Sequence, residues 1–243
     1  MTERESLVQK YNATKLADTT IGMRIAREFK DGDIANLGKG LPILAGDYID
    51  PSIDVFYHGE PGILGYGPAL GLDEWEDIDP TVIDANIRHV REKPGMAIFD
   101  MGESFNMLRG KHIDTSVVGG FEVSEKGDLA NWAFEYPVKN PGISIGGGFD
   151  IVVGPKRCIV AITHLDKYGK SKIVKKLHYP LTGASGYVDL IITDLAVFEV
   201  RGPKGAKEGL VLLEVAPGWS PEELRLVTEG RFEVSPDLEE YHL

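Results

Sequence analysis

Residues 55–68 read Val55-Phe56-Tyr57-His58-Gly59-Glu60-Pro61-Gly62-Ile63-Leu64-Gly65-Tyr66-Gly67-Pro68. Val55 to His58 has the composition of a short strand. It runs into a loop in which four glycines and two prolines surround one carboxylate. In open α/β sheets ligands bind beyond the carboxyl ends of strands, which is where this order of elements puts Glu60. Strand alternation places His58 and Glu60 on the same side. A tight turn carrying a solvated glutamate has the same composition, so the stretch alone leaves both readings open.

On the N-terminal side, residues 34–37 form another short apolar run that enters Gly38-Lys39-Gly40, and Pro42 suits the first turn of a helix carrying Ile43, Leu44 and Tyr48. Ile21, Ile25 and Phe29, with Ala26, make one apolar helical face that Asp31-Gly32 ends. Further strand candidates, rich in Val and Ile, lie at 96–99, 116–123, 158–163, 188–192 and 210–215. Helical patterns fall at 80–92, 103–109 and 220–228. The last has Ser220 as N-cap and Pro221 at the first helical position. Strands alternating with helices predict a single α/β domain over 18–243 with a mostly parallel open sheet. The consecutive strands of 188–200 and 209–215 add an antiparallel part. Residues 1–17 are polar and read as a loosely held leader.

The chain has 243 residues, with 26 Lys+Arg against 38 Asp+Glu, a formal net charge of −12. Such an acidic balance argues against nucleic acid and anionic membrane as partners, since both select basic surface. The only cysteine, Cys158, excludes an internal disulfide and zinc-ribbon chemistry. The N-terminal segment lacks the apolar core of a signal peptide, and the longest apolar runs are strand-length. A cytoplasmic protein is expected, with the Asn12-Ala13-Thr14 sequon a chance match.

Gly146-Gly147-Gly148 lets backbone N–H groups approach an anion without Cβ interference, or simply bends the chain. Gly38-Lys39-Gly40 has the same two readings. It is not a dinucleotide fingerprint, because Ile43 occupies the third glycine position, and no Walker A sequence occurs. Gly142-Ile143-Ser144-Ile145-Gly146 formally matches a nucleophile elbow, but Pro137, Asn140 and Pro141 before it read as loop rather than strand. None of the six histidines belongs to a ligand set of the H-E-x-x-H kind, and His164-Leu165-Asp166 supplies only two donors, so no metal is expected. The basic run Lys167, Lys170, Lys172, Lys175 and Lys176 is a solvated face or a meeting place for the phosphates of a nucleotide-like ligand.

Eight segments taken in order resemble the β subunit of family I coenzyme A transferases, in the 3-oxoacid group. They are 29–32 (Phe-Lys-Asp-Gly), 36–42 (Asn-Leu-Gly-x-Gly-Leu-Pro) and 60–68, where Glu60 is followed by Gly62-Ile63-Leu64-Gly65 and Gly67-Pro68. Then come Ser104-Phe105-x-Met107-x-Arg109-Gly110-x-His112, Gly127-Asp128-Leu129-Ala130-Asn131-Trp132, Gly146-Gly147-x-x-Asp150, Pro180-Leu181-Thr182-Gly183 and Val234-Ser235-Pro236. The resemblance implies a NagB/ribose-isomerase/CoA-transferase-like α/β fold. It implies that Glu60 is the nucleophile that attacks an acyl-CoA thioester and that Gly147 contributes a backbone N–H to the oxyanion hole. Gly38, Gly40, Gly62 and Gly146 are expected to line the CoA-binding part. The CoA thioester enters as substrate and no further cofactor is implied. A homologous α subunit, in an αβ or α2β2 assembly, is the implied partner. Departures from the family pattern are Gly59 and Pro61 where it has Ser and Asn, and Lys39 where an apolar residue is common.

A glutamate is ionised at neutral pH and needs no general base to attack a thioester. It is a weak nucleophile, so the tetrahedral oxyanion must be stabilised by a fixed N–H such as that of Gly147. The reaction expected is transfer of CoA between an acyl-CoA, of 3-oxoacyl or short dicarboxylic type, and a carboxylic acid, through a glutamyl anhydride and a glutamyl-CoA thioester. The alternatives are an acyl-CoA hydrolase or decarboxylase on the same scaffold, suggested by Gly59 and Pro61, and a non-catalytic ligand-binding module.

Overall fold

The computed structural model describes residues 2–85, 87–135 and 145–241. Its strands begin with β1 (Ile34–Leu37), β2 (Phe56–Gly59), β3 (Ile63–Leu64), β4 (Ala97–Ile98) and β5 (Thr115–Val118). Next come β6 (Glu122–Ser124), β7 (Leu129–Ala130), β8 (Arg157–Ala161) and β9 (Ile173–Val174). The last four are β10 (Leu190–Ile192), β11 (Ala196–Arg201), β12 (Gly209–Val215) and β13 (Phe232–Glu240). The α-helices are α1 (Glu3–Thr14), α2 (Asp18–Ala26), α3 (Met101–Arg109), α4 (Gly148–Val153) and α5 (Pro221–Val227), and Pro42–Asp47 forms a 3-10 helix. Ten strands make one sheet in the order β13-β12-β11-β10-β8-β5-β1-β2-β3-β4, and β7-β6-β9 make a smaller one.

The centre of the large sheet, β10-β8-β5-β1-β2, is parallel. Antiparallel pairs flank it, β10 with β11, β11 with β12, and β2 with β3 and β3 with β4. The predicted mostly parallel α/β sheet with an antiparallel part is therefore the observed one. Its central strands are apolar at consecutive positions because helices cover both faces. Val117, Ile159, Leu190 and Ile192 enter the layer closed by Ile21 and Ile25 of α2 and by Ile43. Their neighbours Val118, Val160 and Ile191 enter the opposite layer, closed by Leu7 and Tyr11 of α1, Leu108 of α3 and Leu224 of α5. Among the described residues, no helix is long and apolar enough to cross a membrane.

Three expectations are corrected. Residues 1–17 are not a loose leader. Thr2 and Glu5 form a capping box on α1, and Leu7 and Tyr11 are buried. The Tyr11 hydroxyl donates to Asp194 at 2.7 Å, Val8 packs on the same core, and Arg4 and Lys10 bond to the Gly169 and Gly218 carbonyls, so a largely polar helix is docked. Among the described residues of 80–92 no helix forms. Ile87 has φ 62°, and its N–H and that of Arg88 bond back to Asp84, which makes a tight reversal instead. The single strand over 116–123 is two strands of different sheets, β5 and β6, separated at Gly119-Gly120. There the chain passes so close to Leu129 that a Cβ on Gly120 would lie 2.8 Å from its Cδ1. Strand β13 is an addition to the elements read from sequence, since Pro236 interrupts its pattern. It is an edge strand pairing only with β12, where a missing N–H is tolerated.

Candidate active site

Strand β1 is the place where the chain changes direction across the sheet. From β1 it proceeds to β2 on one side, and it returns through α3 to β5 on the other. Crossovers diverging in this way leave a crevice outside the carboxyl ends of the two neighbouring strands. A cleft of about 490 Å³ occupies this position. Gly38 and Lys39 follow β1 into it, Gly119, Gly120 and Phe121 follow β5, and Glu60 follows β2; Asn131, Trp132 and Ile145 to Gly148 close the far side.

Glu60 is held by a turn with three anchors. The Gly62 N–H donates to the Gly59 carbonyl at 3.0 Å, and β2 and β3 pair immediately on either side. Gly62 has φ 117°, and a Cβ there would fall 2.0 Å from the Phe99 carbonyl oxygen, so only glycine lets the turn dock on the segment that caps α3. Behind the turn, the buried His58 accepts from the Asn36 amide at Nδ1 (3.1 Å), and its Nε2–H donates to Ser104 Oγ at 2.9 Å. The Ser104 hydroxyl donates in turn to the Gly59 carbonyl at 3.4 Å. Burial holds the His58 pKa below its ordinary value, so this ring is a neutral relay between β1, α3 and the base of the turn.

Glu60 itself is half-buried, and desolvation raises its carboxyl above the ordinary glutamate range. Among the described residues its side chain has neither an ion pair nor a hydrogen bond. Its Oε2 lies over Gly147, where an added Cβ would come within 2.7 Å of it and within 2.7 Å of the Phe105 ring of α3. The Gly147 carbonyl accepts from Ile151 in α4, while its N–H has no acceptor among the described residues. A carboxylate with no partner among the described residues thus lies beside Gly147, whose N–H is likewise unengaged among them.

The far wall is fixed by polar bonds. The Asn131 N–H donates to Thr182 Oγ1 at 3.0 Å, its amide to the Gly119 carbonyl at 3.2 Å, and Trp132 Nε1 to the Leu181 carbonyl at 3.1 Å. These bonds join two of the segments that carry the sequence resemblance. A larger cavity, about 860 Å³, adjoins the cleft at Phe121 and contains Lys167, Lys170 and Lys172 of the basic run, together with Arg4, Tyr168 and Tyr179.

A model of the coenzyme A transferase family matches residues 19–225. The chain belongs to the coenzyme A transferase family. It is 38% identical over 222 residues to the beta chain of acetate CoA-transferase from Escherichia coli K12, covering 91% of this chain and 96% of that one. It is 42% identical over 224 residues to the mitochondrial succinyl-CoA:3-ketoacid coenzyme A transferase 2A of Rattus norvegicus, covering 90% of this chain and 40% of that protein. The chain therefore spans about two fifths of the length of the mitochondrial relatives it matches, and nearly the whole of the bacterial beta chain. Among solved structures it is similar to the acyl-CoA transferase YdiF of Escherichia coli O157:H7, with TM-score 0.67 and 21% identity over 93% of this chain and 43% of that one.

Within this coenzyme A transferase fold, four of the six residues expected at the site from sequence, Gly38, Glu60, Gly146 and Gly147, line one cleft. Gly62 lies beneath it as the hinge of the Glu60 turn. Gly40 has φ 88° with open space around it, and it turns the chain out of β1. The elbow pattern at 142–146 has Ser144 outside the described residues. His164, the first donor of the two-ligand fragment, is fully buried between the hydroxyls of Thr193 and Thr228 at 3.1 and 2.8 Å. Sequence reading assigns no role to Lys39, Phe105, Asn131 or Trp132, although all four stand inside segments that carry the resemblance. Their signal is adjacency to motif residues, and only the fold shows which of them turn toward the cleft.

Proposed function

We propose that this chain is the β subunit of a CoA-transferase, active together with an α subunit, that moves CoA between an acyl-CoA and a carboxylic acid. The observation that carries the reading is the half-buried Glu60 carboxylate, without a partner among the described residues, set beside Gly147 in the switch-point cleft. Glu60 Oε attacks the thioester carbonyl, and the oxyanion that forms is stabilised by the Gly147 N–H, at about 10²–10³-fold in rate for one such donor. The C–S bond breaks, CoA leaves as thiolate, and an acyl-glutamyl anhydride remains. The thiolate then attacks the glutamyl carbonyl, releasing the first carboxylate and leaving Glu60 as a CoA thioester. A second carboxylate reverses both steps and leaves with CoA. Burial without a cation favours this chemistry, because a carboxylate stripped of water and of counter-ions is a better nucleophile than a solvated one. An anhydride hydrolyses readily, and a second polypeptide closing the open side of the cleft would keep water out. The bacterial relatives whose names make them subunits, matched over 94–96% of their own length, support this reading.

The test is to co-express the pair, incubate it with an acyl-CoA, and reduce with borohydride. Inactivation with a mass change on the Glu60 peptide is expected, and Glu60→Ala should be inactive and unmodified. An unmodified Glu60 in a pair that turns over, or full activity in Glu60→Ala, overturns the proposal. Release of free acid or CO2 at the turnover rate without an acceptor would point instead to hydrolysis or decarboxylation.

A further inference from the structure

We infer that Arg109, acting through Asp150, is a positioning residue for the reaction in this cleft: its two-bond pair with Asp150 fixes where Gly147 stands relative to Glu60. The inference rests on the proposed function for the roles of Glu60 and Gly147. Its own evidence lies behind the cleft, on helices α3 and α4. Helix α4 runs for six residues, Gly148–Val153, and its buried residues are Ile151 and Val152. A helix of less than two turns is not stable alone and takes its position from what it is tied to. Apolar contact at two adjacent residues leaves its slide and rotation against α3 weakly defined.

Three ties to α3 and its C-terminal turn supply the definition. Arg109 Nε donates to Asp150 Oδ1 at 2.8 Å and Nη2 to Oδ2 at 3.1 Å, and such a fork fixes orientation as well as distance. Lys111 Nζ donates to the Val153 carbonyl at 2.8 Å. Gly154 permits the close approach, since a Cβ there would lie 2.7 Å from the Leu108 carbonyl oxygen. Gly147 is carried by the same turn of helix as Asp150, because the Ile151 N–H donates to the Gly147 carbonyl at 3.0 Å. Phe105, one turn before Arg109 on α3, has its ring 2.7 Å from where a Cβ on Gly147 would stand, and the Arg109 guanidinium lies 5.7 Å from the ring centroid.

Helix α3 also holds the nucleophile. The Phe99 N–H, just before the helix, donates to the Gly62 carbonyl at 2.9 Å, and the Ser104 hydroxyl donates to the Gly59 carbonyl at 3.4 Å. One helix therefore carries the Glu60 turn near its start and α4 near its end, and the spacing of Glu60 and Gly147 is set through it. Arg109 is exposed, and an exposed ion pair adds little to stability, so what this pair contributes is geometry. A misplacement of about 1 Å at a reacting centre costs about 10²-fold in rate.

The experiment uses the co-expressed pair carrying Arg109→Met, Asp150→Asn, both together, or Arg109→Lys, which keeps the charge and loses the fork. The probes are acetyl-CoA and succinyl-CoA with acetoacetate as acceptor, read as kcat and KM beside the thermal midpoint. Amide exchange of the peptide containing Gly147 and Asp150 is followed by mass spectrometry without substrate. Arg109→Met and Asp150→Asn are each expected to lower kcat by about 10–100-fold with KM within about threefold, and the double variant to lose no more than either single one. Arg109→Lys should lose about 3–10-fold, and exchange of the peptide should quicken several-fold in all four. Wild-type kcat in Arg109→Met, losses that multiply in the double variant, unchanged exchange, or a variant that no longer folds or assembles overturns the inference. Quickened exchange in a pair whose wild type forms no adduct on Glu60 refutes the proposed reaction and leaves the tie from Arg109 to Gly147 standing. An adduct on Glu60 with wild-type kcat in the variants does the reverse.

Discussion

Glu60 Oε2 occupies the space that a side chain on Gly147 would enter, at 2.7 Å from where its Cβ would stand. The ring of Phe105 fills the other side at the same distance. Gly147 is thus a glycine for reasons of contact, since its φ of −80° is open to any residue. Gly147→Ala should displace the carboxylate from its place beside Gly147 and lower kcat by about 10²–10³-fold in the assembled pair. Stability should change little, because both neighbours that must give way are ends of side chains. Steady-state turnover and the thermal midpoint, measured together, check this, and a variant of normal kcat would show that the carboxylate works from another position.

The same burial makes Glu60 costly to the fold. Desolvation raises its folded pKa above the ordinary value of about 4.5, with no partner among the described residues to offset it. For an acid whose folded pKa lies higher, the native state holds the proton longer, so stability falls as pH rises through the window between the two values and stays reduced above it. Glu60→Gln should therefore melt higher than the wild type at pH 8, by about 2–4 °C for each kcal/mol recovered. The difference should close near pH 4. The acid limb of kcat/KM in the wild type should lie at higher pH than an exposed glutamate would give. Equal melting curves at pH 8 would remove the desolvation argument.

How far this site can be read in advance depends on what kind of information each part needs. The strand, turn and carboxylate of 56–62 are legible because strand propensity and glycine density are local. The central strands are legible because burial on two faces leaves consecutive apolar residues. The docking of α1 is not, since Leu7 and Tyr11 are sparse among polar neighbours and their partners, Asp194 among them, lie far along the chain. The reversal at Ile87 is hidden for the opposite reason, because apolar spacing over 80–92 imitates a helix while Asp84 closes a turn through local hydrogen bonds. The convergence of Gly147 on Glu60 requires knowing that β1 is the switch point, which is a property of strand order and not of any segment.

The deepest histidine should make the protein acid-sensitive. His164 Nδ1–H donates to Thr193 Oγ1, whose own proton goes to the Ala196 carbonyl, and Nε2 accepts from the Thr228 hydroxyl. Burial pushes its pKa down to about 3, against an ordinary 6.5. Between those values the unfolded chain takes up a proton that the folded chain refuses. Stability present above pH 6.5 is therefore lost as pH falls toward 3, at about 1.4 kcal/mol per pH unit for one proton. His58, lowered by burial as well, adds to the slope in the same direction. The raised carboxyls of Glu60 and Asp194 act with opposite sign, because protonating them in the folded state is easier. A comparison of wild type with His164→Gln isolates the histidine. In urea unfolding the wild type should lose about 2 kcal/mol more than the variant between pH 6.5 and pH 5. Parallel stability curves for the two proteins would mean that the folded and unfolded chains hold the His164 proton equally well.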